Sequence, residues 1–167
     1  VSAPERVHFG IAHIAAWRGG DAALAERLQS LGWELPPLGR AWFGPQRIAV
    51  CVQPHRWLLL DESRSVDFTA RCLEAVADTG AVVELTAARS AWRLRGANAR
   101  KHLIEGCRLD LAPAAFPVGQ AAATTIAQVH ATIVAEPDGW LLLCSASVTE
   151  HFDGWLQHIT DTARGHA

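Results

Sequence analysis

The feature that most limits how this chain can fold is a pattern of breaks, caps and apolar runs that occurs twice in the same order. Arg18-Gly19-Gly20-Asp21-Ala22 interrupts an apolar stretch, and Arg95-Gly96-Ala97-Asn98-Ala99 does so again, with Asn in place of Asp. Gly32 ends a helical pattern after the first, and Gly106 after the second. Pro54-His55-Arg56-Trp57-Leu58-Leu59-Leu60 is echoed by Pro137-Asp138-Gly139-Trp140-Leu141-Leu142-Leu143. A single W-L-L-L match carries little weight, because short apolar runs recur in many sheets. Matching caps, stops, turns and helical stripes in one order carry much more. The chain therefore reads as an internal duplication, with repeats over approximately 7–86 and 89–162.

Within the first copy, Val7 to Trp17 reads as a strand. Asp21 then caps a helix with Leu24, Leu28 and Leu31 on one face and Gly32 as its stop. Trp33 to Pro45, with three prolines and three aromatics, reads as a loop. Arg47 to Gln53 and Trp57 to Leu60 form a hairpin. Ser63 or Ser65 caps an amphipathic helix that would bury Val66, Ala70, Leu73 and Ala77 and end at Gly80. Asp67, Arg71, Glu74 and Asp78 take its solvent face, and Ala81 to Thr86 is a further strand.

In the second copy, Ser90 to Leu94 is a strand, and Asn98 caps a helix running to Glu105. A proline and aromatic loop extends to about Ala123. Thr125 to Ala135 then alternates as one strand, with Ala127, Val129, Ala131 and Ile133 against Gln128, His130 and Thr132. The last helix opens on a capping box, Ser147-Val148-Thr149-Glu150, and carries Val148, Phe152, Trp155 and Ile159 inward. The expected fold class is α+β: one domain over 1–167 built from two pseudo-symmetric strand-helix-hairpin-helix halves. Each half is expected to be an antiparallel-leaning sheet with its helices on one face.

Composition bounds the function. Half of the residues are hydrophobic and under a fifth are charged, which suits a globular chain with one core. The 15 Lys and Arg are scattered among 17 Asp and Glu, so no basic field forms for nucleic acid or an anionic membrane. The strongly apolar stretches, such as Trp57 to Leu60, have strand length, far below the ~20 residues that cross a bilayer. The first residues, V-S-A-P-E-R, lack a basic segment followed by an apolar one, and the expected location is cytoplasmic. Seven Trp in a near-neutral chain suit burial against a partner. The four cysteines include no C-x-x-C pair and read as free, buried thiols.

No constellation of residues announces chemistry. A G-x-G-x-x-G run, a Walker loop and a G-x-S-x-G turn are all absent. His151 and His158 lie two helical turns apart with no third ligand, and read as a solvated helix edge. His8, His13, His55, His102, His130 and His166 read as surface or cap positions. Cys107 follows a helix stop, where the carbonyl end of the dipole disfavours a thiolate, so it reads as inert. Asp110, between two leucines at a loop entrance, suits hydrogen bonding to loop amides better than orienting a ligand amine, and Glu84 is similarly ambiguous. For Trp33, Trp42, Phe43 and Phe116, core filling competes with docking a partner. The candidate partner surface comprises Trp42, Phe43, Asp110, Phe116 and Pro117, and no catalytic, cofactor-binding or metal-binding residue is assigned.

The run R-G-A-N-A-R-K-H-L-I-E-G-C-R-L-D-L-A-P-A-A-F-P-V-G, from Arg95 to Gly119, followed by T-T-I-A-Q-V-H-A-T-I, resembles the gamma subunit family of heterotetrameric sarcosine oxidase. The A-W-R-G-G-D-A-A-L stretch, the second W-L-L-L strand and the terminal W-L-Q-H-I helix are similar to that family as well. Members usually carry an Arg-Ser-Phe-Ala type segment before the last helix, where this chain has Ser145-Ala146-Ser147-Val148. The resemblance implies a fold similar to the folate-binding domain of aminomethyltransferases, itself made of two related halves. It implies a non-catalytic accessory subunit that packs on the alpha subunit, in a complex with beta and delta subunits that oxidatively demethylates sarcosine. FAD, FMN, NAD and tetrahydrofolate would then sit on the other subunits and none in this chain. The alternatives are a stand-alone folate-binding, aminomethyltransferase-like protein and the equivalent subunit of another secondary-amine oxidase or dehydrogenase.

Overall fold

The two W-L-L-L runs lie on the middle strands of two five-stranded sheets, which is why they read as unbroken apolar runs. A central strand covered on both faces has no solvent side to alternate with. In this computed structural model, which describes residues 3–161, the chain divides into two compact units. One unit is His8–Thr86; the other joins the chain up to Val7 to the chain from Ala87 onward. All pairings between the strands named below are antiparallel.

The His8–Thr86 unit contains β2 (Gly10–Ala16), α1 (Asp21–Ser30), β3 (Arg40–Gly44), β4 (Arg47–Gln53), β5 (Arg56–Asp61), α2 (Phe68–Val76) and β6 (Gly80–Glu84). Its strand order is β6-β2-β5-β4-β3. Leu24 and Leu28 of α1 and Phe68, Cys72 and Val76 of α2 pack with Ala12, Ile14, Trp57 and Leu59 of the sheet. The stop at Gly32 is a Schellman end: Gly32 N donates to Gln29 O and Trp33 N to Leu28 O, with Gly32 at φ +83°. The β4–β5 hairpin turns on Pro54 and His55, and His55 takes the left-handed conformation that Pro54 cannot.

The second unit contains β1 (Glu5–Val7), β7 (Arg89–Arg95), α3 (Ala99–Leu103), β8 (Ala121–Ile126), β9 (Val129–Glu136), β10 (Gly139–Ser145), a 3-10 turn (Ala146–Val148) and α4 (Thr149–Asp161). Its order is β1-β7-β10-β9-β8. Strand by strand this is the order of the first unit, with β1 in the place of β6. Leu103, Phe152, Leu156 and Ile159 pack from the helices onto Trp92, Leu94, Trp140 and Leu142. The α+β class and the antiparallel character thus agree with the sequence reading.

Several local expectations do not hold. The residues from Trp33 to Pro45 are not all loop, because Arg40–Gly44 pairs with Arg47–Cys51 as β3. Thr125–Ala135 is not one strand but the hairpin β8–β9, turned at Ala127 and Gln128, both at positive φ (49° and 65°). That geometry favours Asn-Gly, so the turn carries no sequence flag. The buried stripe of α2 is Phe68, Cys72 and Val76, whereas Val66 and Leu73 are exposed. Ala77, at φ 43°, ends this helix well before Gly80, which instead opens β6.

The expected caps differ too. Asp21 is the first helical residue, with its Oδ2 2.5 Å from His55 Nδ1, and Asn98 makes no side-chain cap bond. Neither Ser63 nor Ser65 caps α2, because both are engaged by acidic side chains. The cap before α4 is Ser145, whose Oγ accepts from Ser147 N at the head of the 3-10 turn, two residues before the box expected at Ser147. α3 stops at Leu103, short of Glu105. Gly106 is required by close approach, since a Cβ there would run into the Trp155 indole. His166 and the end of the second expected repeat at Thr162 lie outside the described residues.

Candidate functional site

The most built-up polar site lies in the His8–Thr86 unit, where the first residue of β4, the last of β5 and the start of α2 meet. Arg47 and Asp61 are register partners across β4 and β5, but they do not pair with each other. Arg47 Nη1 donates to Leu31 O (2.7 Å) and Gly32 O (3.0 Å), and its guanidinium lies over the Trp33 ring, 5.2 Å from the centroid. It thereby closes the carbonyl end of α1. Asp61 is buried, and its carboxylate accepts from Ser63 N (3.0 Å), Ser63 Oγ (2.7 Å) and Ser65 N (3.0 Å). This Asx-type loop feeds the chain into α2. Asp67 accepts from the Ser65 hydroxyl and from Arg71 Nε at 2.7 Å, and these partners hold its carboxyl below the usual carboxylate range.

Around these groups is a cavity of about 170 Å³ with Trp33, Phe68 and Cys72 among its apolar walls. Burial pushes the Cys72 thiol up to about 11, with the nearby Arg47 pulling it down and Asp61 adding to the rise. The thiol is therefore neutral near pH 7 and no nucleophile. Sequence reasoning placed Arg71 and Asp67 on a solvent face and missed the cavity. The available signal was D-x-S-x-S, Asp61 to Ser65, directly after an apolar strand.

The candidate surface residues divide between the two units. Trp42 and Phe43 are half-buried on edge strand β3, with Trp42 6.4 Å from Trp33. In the other unit, Asp110 Oδ1 accepts from Ala112 N (2.9 Å), the loop-amide use expected of it. Phe116 is a core residue, buried 5.7 Å from Trp140, and so is withdrawn as a surface contact; Asp110 and Pro117 remain exposed around it. Glu84, exposed on β6, faces Thr86 Oγ1 at 3.5 Å.

All four cysteines are free and buried, as expected, and burial raises the thiols of Cys51, Cys107 and Cys144 as well. His151 Nε2 lies 3.2 Å from Ala127 O. His102 is not a surface residue: it is buried on α3 with neither ring nitrogen hydrogen-bonded, and Glu105 Oε1 is 3.9 Å from Nδ1. Among the described residues no group of three or more His, Cys, Asp or Glu is placed to hold a metal, and no helix is long and apolar enough to cross a membrane.

Taken together, the fold is that of a sheet-rich α+β chain in two units. A solved glycine cleavage system aminomethyltransferase T from Bartonella henselae matches 92% of the chain with a TM-score of 0.67 at 12% identity, covering 44% of that protein, which shows the shared fold. The family is more specific: the model of the sarcosine oxidase, gamma subunit family matches residues 18–162, and the chain belongs to that family.

The sarcosine oxidase subunit gamma of Corynebacterium sp. (strain P-1) is 34% identical over 146 residues, covering 83% of this chain and 68% of the relative. The Arthrobacter sp. subunit is 36% identical over 80 residues, covering 47% of this chain and 39% of the relative. Among solved structures, a chain of the heterotetrameric sarcosine oxidase from Corynebacterium sp. U-96, in complex with pyrrole 2-carboxylate, aligns with a TM-score of 0.85 at 27% identity, covering 95% of this chain and 83% of that one. The resemblance read from Arg95 to Gly119 therefore holds.

Proposed function

We propose that this chain is the non-catalytic gamma subunit of a cytoplasmic sarcosine oxidase complex, packing on the alpha subunit beside beta and delta. The observation that carries the reading is the match along 95% of the chain to a chain of a heterotetrameric sarcosine oxidase. The residue chemistry supports it: Asp110, the most tempting carboxylate, is spent on its own loop, and the cavity is lined by neither Asp110 nor Glu84. In this reading FAD, FMN, NAD and tetrahydrofolate belong to the other subunits. The residues offered to alpha are half-buried Trp42 and Phe43 on one unit and exposed Asp110 and Pro117 on the other.

Co-expression with the large subunits tests the proposal. The chain should be colourless alone and recovered in stoichiometric amount with alpha, and the assembled complex should oxidise sarcosine. Flavin retained by the isolated chain, or full assembly and turnover without it, would sink the reading. Dimethylglycine and N-methylglutamate, assayed beside sarcosine, identify the amine.

A further inference from the structure

We propose that the cavity at the start of α2 is a binding site for a small monocarboxylate with a short apolar body. Its two cations keep unused donors, whereas every oxygen of its two anions already has at least one hydrogen-bonding partner. Arg71 gives Nε to Asp67, and among the described residues its terminal amino groups make no hydrogen bond. Among the described residues Arg47 uses only Nη1, on Leu31 O and Gly32 O, which leaves Nε and Nη2 for a ligand. Asp61 already accepts three hydrogen bonds, and Asp67 is held by Ser65 and Arg71.

An entering cation would have to compete with partners already held by each of these carboxylate oxygens. An anion meets guanidinium donors whose planar forks suit a carboxylate. The same two aspartates act against a dianion, since both line the cavity and carry charge of the same sign, so a monoanion is favoured over phosphate. Trp33, Phe68, Leu31 and Cys72 supply apolar wall, and the neutral Cys72 thiol adds no charge. The volume of about 170 Å³ suits several non-hydrogen atoms, well below a cofactor the size of a folate. The site lies within one unit and is independent of the assembly proposed above.

The probe is butyrate, titrated into the labelled full-length chain at constant ionic strength, with butanol and butylammonium as size-matched controls. The readouts are the Trp33 indole N–H and the Arg47 and Arg71 Nε–H resonances. Saturable shifts in the millimolar range with butyrate and not with the controls are expected. Arg71→Gln, an exposed position, should weaken binding by about threefold, and Asp67→Asn, which frees Arg71, should tighten it by about threefold. Shifts equal to those with butanol, absence of saturation with butyrate, or a weaker site in Asp67→Asn would each overturn the proposal. Far-UV circular dichroism and thermal unfolding of both variants confirm that the compared proteins are folded, and Arg71→Lys, which keeps the charge, should retain binding.

Discussion

The two units solve one architectural problem with different residues at the same place. Register aligns Ile14↔Trp57 and Ala12↔Leu59 in one sheet with Leu94↔Trp140 and Trp92↔Leu142 in the other. Ala12 therefore occupies the position of Trp92. In the second unit the Trp92 ring packs edge-on to Phe152 at 5.1 Å, donates Nε1 to Asp153 (2.8 Å) and carries the Arg6 guanidinium 4.7 Å above it. In the first unit the aromatic partner of Phe68 is Trp33, 5.6 Å away and supplied by the loop after α1. What is common to the units is the demand for a large ring beneath the second helix. Whether a strand or a loop supplies it is free to differ, and in the unit filled from a loop a cavity lies beside the ring.

The largest effect that would break this comparison is at Trp92. Trp92→Ala removes a fully buried ring and orphans Asp153, and should cost about 3–5 kcal/mol in chemical denaturation. A loss under ~1 kcal/mol would mean that the ring is not the second unit's keystone. Ala12→Leu probes the same position in reverse: Ala12 has no exposure, so the added volume should cost about 1–3 kcal/mol by overpacking. A neutral result would show spare room and dissolve the contrast.

A smaller effect lies in the thiols. Cys72 borders the cavity, and its folded-state pKa of about 11 lies above its unfolded value of about 9. Between those values the unfolded chain binds fewer protons, so stability is complete below pH 9 and falls as pH rises towards 11. Cys72→Ala should flatten that fall in denaturation curves taken at pH 8 and pH 10, and an unchanged slope would count against it. The smallest change is expected at His102, whose buried ring nitrogens lack partners. His102→Leu removes that penalty and should leave stability equal or raise it by about 1 kcal/mol, read from the denaturation midpoint.

What could be read in the sequence follows from which signals are local. The W-L-L-L strands, the Gly32 stop and the four buried thiols were legible because burial on both faces, a left-handed residue and thiol hydrophobicity each leave a mark at the residue itself. Turns and interfaces leave none when the residues are ordinary. Ala127-Gln128 makes a tight hairpin without Asn or Gly, and β3 hides Trp42 and Phe43 in a segment punctuated by prolines. The α2 stripe was misread by about half a turn because Val66 and Leu73 are as apolar as the residues that are buried; only the position of Phe68 beside Trp33 decides the face. The cavity left only the D-x-S-x-S mark at Asp61 to Ser65, for a different reason: its charged groups come from two strands and the start of a helix that converge only in three dimensions.

The short strand β1 gives the chain an unusual timetable. Its residues Glu5–Val7 pair with Ala91–Arg93, more than eighty positions later, while His8–Thr86 draws on one contiguous segment. As the polypeptide leaves the ribosome, the His8–Thr86 unit has all its material when Thr86 emerges, whereas β1 must wait unpaired until β7 is made. Arg6 and Glu5 then reach Ser90 and Arg95 to fasten it. A change made in Glu5–Val7 is therefore expected to be felt in the unit that holds β7, and to spare the His8–Thr86 unit that follows it directly in sequence.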